Sequence, residues 1–126
     1  MAFYSSTLAL AGEAPPPSFE RPVDLVHLAR QTLGDRALER EILALFQVQA
    51  RAIFAQLQTV SDKSLQLDLA HTLKGSARAV GAWSVAEAAQ ACEDQAVDAP
   101  ETWHAAMADL RERIDIALAA IEDIRR

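Results

Sequence analysis

The chain has 126 residues, 51% of them hydrophobic and 24% charged, and a net charge of −6. That balance belongs to one globular domain with one core, and the acidity argues against nonspecific binding to nucleic acid. Four glycines and five prolines are too few for a turn-rich β protein. The single cysteine, Cys92, has no internal disulfide mate, supports no cysteine metal cluster and fits a reducing compartment.

Residues 1–21 read as a tail and residues 22–126 as the folded domain. Met1 to Gly12 holds no basic residue, and no apolar run there is long enough for a signal peptide or a membrane span. A cytoplasmic protein without membrane contact is therefore expected. Pro15-Pro16-Pro17 forbids helix and favours an extended linker. The tail reads as a leader without fixed structure; docking of Phe3, Tyr4, Leu8 and Leu10 on the domain or on a partner is the alternative.

Val23, Leu25, Val26, Leu28 and Ala29 precede Gly34, which suits a short helix over 23–33 ended by that glycine. His27 lies on it with no convergent polar set and is read as a surface residue. Asp35 can cap a second helix from Arg36 to about Val60, with Leu38, Ile42, Leu45, Phe46, Ile53 and Leu57 at spacings of three and four. Ser61 and Asp62 break the pattern and can cap a third helix, which ends near Val80 with Gly81 as its stop. Val85, Ala89, Cys92 and Ala96 mark one face of a fourth, over Ser84 to Val97, where small residues permit close packing and Cys92 is core.

Asp98-Ala99-Pro100-Glu101 is a helix start. The last helix then carries the stripe Trp103, Met107, Leu110, Ile114, Ala117, Ile121 and Ile124, alternating steps of four and three. Such a period packs at a shallow angle in a left-handed bundle, so Trp103 and Met107 are core. His104 flanks the stripe without ligand partners at suitable spacing. Short loops between long helices favour antiparallel neighbours. The expected fold is thus all-α: an antiparallel up-down four-helix bundle with a short additional N-terminal helix.

The third helix carries the chemistry. Wound at about 100° per residue with His71 at zero, it places Leu69, Leu73 and Val80 within roughly 20° of the opposite side. Ser64, Leu67, Asp68, Lys74, Gly75 and Arg78 fall within roughly 60° of the histidine. An ordinary solvated histidine is the plain reading. Two neighbours count against it. Lys74, one of two lysines in the chain, can place an ammonium beside the imidazole. Gly75 stands in mid-helix, where glycine costs about 1 kcal/mol relative to alanine, and it clears space beside the ring.

The string His71-Thr72-Leu73-Lys74-Gly75-Ser76-Ala77, followed by Gly81-Ala82, resembles the signature of histidine-containing phosphotransfer (HPt) domains, the relay modules of bacterial multistep two-component signalling. The resemblance runs over residues 22–124 in helix order and length. It implies a four-helix bundle and a phosphoryl carrier in which His71 accepts phosphate reversibly on its outer ring nitrogen. The exchange is with an aspartate on a response-regulator receiver domain, and a hybrid sensor kinase is a further partner. It also implies that the receiver supplies magnesium, with no cofactor or metal intrinsic to this chain. In this reading Lys74 offsets phosphate charge and Gly75 gives the receiver access. Ser64, Leu67, Asp68 and Arg78 form part of the docking surface. Leu67 reads equally as a stray surface leucine. Alanine at position 77, where the family often has serine, faces away from the ring.

No glycine-rich loop of the ATP-holding kind, no Gly-x-Ser-x-Gly elbow and no metal-ligand spacing is found in the sequence. A sensor kinase's histidine helix is a close relative, but there an acidic residue typically follows the histidine, and here Thr72 does. A monomeric carrier without its own phosphoryl donor is expected. Two alternatives stay open: an HPt-like adapter that binds without phosphotransfer, and an unrelated acidic helical scaffold.

Overall fold

The computed structural model describes residues 15–96 and 100–126. Among these are five helices and no strand: α1 Leu25–Thr32, α2 Arg36–Thr59, α3 Lys63–Val80, α4 Trp83–Gln95 and α5 Pro100–Arg125. The expected all-α class is the class found. The readings made of Phe3, Tyr4, Leu8, Leu10, Val97 and Asp98 lie outside the described residues.

Local chemistry sets the helix ends. Asp35 accepts from the Leu38 amide at 3.0 Å, and Asp62 from the Ser64 amide at 2.9 Å, satisfying donors that a first turn leaves orphaned. α1 starts two residues later than expected because Asp24 caps it, accepting from the His27 amide at 3.1 Å. At its other end Leu33 is already left-handed, with φ 54°, one residue before Gly34. α3 stops at Gly81, with φ 81°, where the Ala82 amide reaches back to the Ala77 carbonyl at 2.8 Å. Only glycine fits there, since a Cβ would stand 2.9 Å from the Asp24 carbonyl oxygen.

The helices pack in sequence order, α2 on α3, α3 on α4 and α4 on α5. α5 returns to α2, and α1 lies against α2 and α3. Cross-helix pairs give the directions. His71 meets Glu93 while Lys74 meets Gln90, so α3 and α4 are antiparallel. Arg40 meets the Arg125 carbonyl while Gln47 meets Glu122, so α2 and α5 are antiparallel as well. The buried Gln47 amide is paired at both ends: its nitrogen donates to Glu122 at 2.9 Å and its oxygen accepts from Arg125 at 2.7 Å.

The α5 stripe is core as expected, with Met107, Leu110, Ile114, Ala117 and Ile121 buried and Trp103 and Ile124 packed at its edges. α2 departs from its expected pattern. Leu38 and Leu45 are exposed, Leu45 by 64%, while Leu43 and Ala50 are buried in their place. The buried arc of α2 is centred on Phe46, Ala50, Ile53 and Leu57, and Leu45 stands about 100° from Phe46. Cys92 is buried among alanines, and burial, with the Asp109 carboxylate adding, pushes its thiol up to about 12. That suits the inert core role read from the sequence. His27 is not the free surface residue expected. It is partly buried, with its ring edge-on to Trp83 and the centroids 4.7 Å apart.

The fold closes on one carboxylate. Asp24 is buried, and its side chain accepts from Trp83 Nε1 at 2.8 Å and from the Ser18 and His27 amides at 3.1 Å. The N-terminal segment, α1 and the start of α4 are tied together by one side chain. Burial by itself raises the Asp24 carboxyl, but the hydrogen bonds from Trp83, His27 and Ser18 outweigh it and hold the carboxyl below the usual range. The Ser18 amide thus links the segment before α1 to the cap of α1.

Candidate functional site

α3 buries Ala70, Leu73, Ala77 and Val80 and turns His71 outward, as the helical wheel predicts. The imidazole is 71% exposed. Ser64, Asp68, Gly75 and Arg78 are exposed on the same helix, and Leu67 is partly buried. Four of the residues singled out in the sequence therefore form one open face around the ring, with partly buried Leu67 beside them.

Lys74 is the exception. The wheel places it beside His71 on the open face, but its side chain is only 11% exposed. Nζ lies 2.8 Å from Glu93 Oε1 and donates to Gln90 Oε1 at 2.7 Å, both on α4. The long stem turns toward α4 because an acceptor and an anion wait there. Gln90 is fixed in turn, its amide nitrogen donating to Asp94 at 3.0 Å.

Glu93 is the residue that sequence reasoning missed. Its Oε1 stands 3.3 Å from His71 Nδ1 as well as 2.8 Å from Lys74 Nζ. A signal for it exists: Glu93 falls about 40° from Ala89 on the α4 wheel, inside the buried arc. A charge placed there needs a counter-charge from a neighbouring helix.

The two ring nitrogens of His71 have different surroundings. A carboxylate facing Nδ1 favours the tautomer with the proton on Nδ1 and the lone pair on Nε2. Nε2 has no protein partner among the described residues. A neutral imidazole with an exposed, unprotonated nitrogen is a competent nucleophile near neutral pH. The space beside Gly75 is open, since a Cβ built there meets no atom within 4 Å. No crossing helix demands the glycine, so packing does not explain its cost.

That observation yields an expected result. Gly75→Gln should gain up to about 1 kcal/mol of helix propensity and melt no lower than the parent. It should slow phosphate transfer from a receiver domain at least tenfold while leaving uptake from a small phosphoryl donor such as phosphoramidate nearly unchanged. Melting curves and the two uptake rates check it. Equal rates from the receiver would make the glycine incidental.

Comparison with known proteins places the chain. Residues 41–124, two thirds of its length, match the model of the Hpt domain, and the chain belongs to that family. The match takes in His71, Lys74, Gly75 and Glu93 and leaves α1 and the first turn of α2 outside. No curated protein and no solved structure matches it. Hpt domains serve histidine phosphotransfer in phosphorelays, which is the class of function expected from the motif. Among the described residues no helix is long and apolar enough to cross a membrane.

Proposed function

We propose that the protein is a phosphorelay intermediate that carries a phosphoryl group on His71 Nε2 and exchanges it with the aspartate of a receiver domain. One observation carries the reading: in a chain of this family, the exposed imidazole has a carboxylate on its Nδ1 side and open space at Nε2.

The transfer balances without an external base. The Nε2 lone pair attacks phosphorus, the N–P bond forms, the acyl-phosphate O–P bond breaks, and the receiver's aspartate leaves as carboxylate. Nδ1 keeps its proton, so the phosphorylated ring is cationic and faces the Glu93 anion across 3.3 Å. The reverse step returns the phosphoryl group along the same line. Any magnesium ion the reaction uses comes with the receiver. The exposed residues Ser64, Asp68 and Arg78, with Leu67 at the edge, supply the docking face around the ring. This protein works in the cytoplasm as a monomer between a hybrid sensor kinase and a response regulator, and it has no phosphoryl donor of its own.

The test is a transfer profile against a panel of purified receiver domains. One or a few phosphorylated receivers should load the chain within seconds, and the loaded chain should return the label to the same receivers. Binding with no transfer in either direction would instead favour the adapter reading.

A further inference from the structure

We infer that Lys74 is a positioning residue that acts through Glu93, and that it does not bind the phosphoryl group. The inference rests on His71 as phosphoacceptor and reassigns the residue beside it. Three observations carry it. The ammonium is enclosed while the imidazole is open, 11% against 71% exposed. Both of its partners are on α4: it donates a hydrogen bond to Gln90 at 2.7 Å and is ion-paired with Glu93 at 2.8 Å. Glu93 Oε1 stands between the two residues and meets the ring at Nδ1, whereas the phosphoryl group attaches at Nε2, across the ring. To reach phosphate, Nζ would have to abandon both acceptors. That would leave an enclosed carboxylate without a counter-charge beside an incoming dianion.

The pair of charges on Glu93 has a chemical consequence. A lone, poorly solvated carboxylate next to an imidazole stabilises the doubly protonated ring, in which Nε2 has no lone pair to give. Lys74 neutralises that carboxylate. Glu93 can then orient the ring through Nδ1 without drawing a second proton onto Nε2. The charged groups around His71 are few. Glu93 is the one from α4, with Asp94 held off by Gln90, and Lys74, Asp68 and Arg78 belong to α3. Among the described residues, no charged group of α1 or α2 lies within ion-pair distance of the ring.

Lys74→Met removes the ammonium and keeps the stem. Two measurements follow, on the whole chain. The first is phosphate uptake from phosphoramidate across pH. The second is titration of the His71 ring nitrogens by NMR in the unphosphorylated protein, which needs no phosphotransfer at all. In Lys74→Met the ring's titration midpoint should rise by about one pH unit. Uptake should fall several-fold near neutral pH and approach the parent's at alkaline pH. Adding Glu93→Gln, which removes the uncompensated charge and leaves an acceptor facing Nδ1, should bring both midpoint and uptake back toward the parent. A midpoint that does not move in Lys74→Met overturns the inference. So does uptake lowered by the same factor at every pH and not rescued by Glu93→Gln, the signature of a phosphate ligand. A parent that takes up no phosphate would defeat the proposed function, while the ring titration would still decide the coupling of Lys74, Glu93 and His71.

Discussion

His71→Ala should fold as the parent does and accept no phosphoryl group from any donor. The ring is 71% exposed and lies off the buried arc of α3, so its removal takes almost nothing from the core. Its one ion-pair contact, to Glu93, is shared with Lys74, which stays in place to satisfy the carboxylate. A substitution of this kind moves stability by about 0.5 kcal/mol or less. The chemical loss is total, because no other described side chain combines an exposed imidazole with an oriented ring: His27 is packed on Trp83, and His104 stands alone on α5. Melting curves and labelled phosphate uptake check the pair of claims. Acid-labile, base-stable label on His71→Ala would assign the acceptor to another residue.

The largest effect on stability is expected far from the phosphate, at Asp24. In Asp24→Ala the Trp83 indole N–H loses its acceptor, α1 loses its cap and the Ser18 amide its tie. A lost cap costs about 1 kcal/mol and an orphaned donor in a poorly solvated site about 1–3 kcal/mol. The sum is about 2–4 kcal/mol, or a fall of roughly 10–20 °C in melting temperature for a domain of this size. The effect has a sign in pH. The folded carboxyl is held below its unfolded value by the hydrogen bonds that outweigh burial. Its stabilisation is therefore complete above about pH 4, the unfolded value, and is lost as pH falls through the lower folded one. The stability gap between parent and Asp24→Ala should hold steady from pH 7 down to about 5 and narrow below 4. A gap independent of pH down to 2 would mean that the carboxylate charge is not what ties the segments.

How much of this was legible in the sequence depended on distance along the chain. Asp35, Asp62 and Gly81 announce helix ends because a cap acts within a few residues, and all three do so in the structure. The outward aim of His71 is equally local, since it needs only the apolar arc of its own helix. Leu45 misled because α2 carries more apolar side chains than its partners can cover. Which of them face inward is settled by α3 and α5, not by α2. The spacing of Lys74 from His71 is local and legible, but its partners Glu93 and Gln90 lie sixteen and more residues away in sequence on α4, and no local pattern announces them. Asp24 ties Ser18, His27 and Trp83, and no periodicity reports a knot among three segments. The HPt motif, by contrast, is contiguous, and the family it pointed to is the one the chain belongs to.

The central claim is an N–P bond at one atom of one ring, and it is measured directly by loading nitrogen-15-labelled protein with phosphoramidate and recording the phosphorus–nitrogen coupling by NMR. The account predicts a single protein-bound phosphorus resonance, coupled to Nε2 of His71, that vanishes on acidification and persists in base. Phosphorus bound to oxygen, to Nδ1 of His71 or to another residue would contradict it.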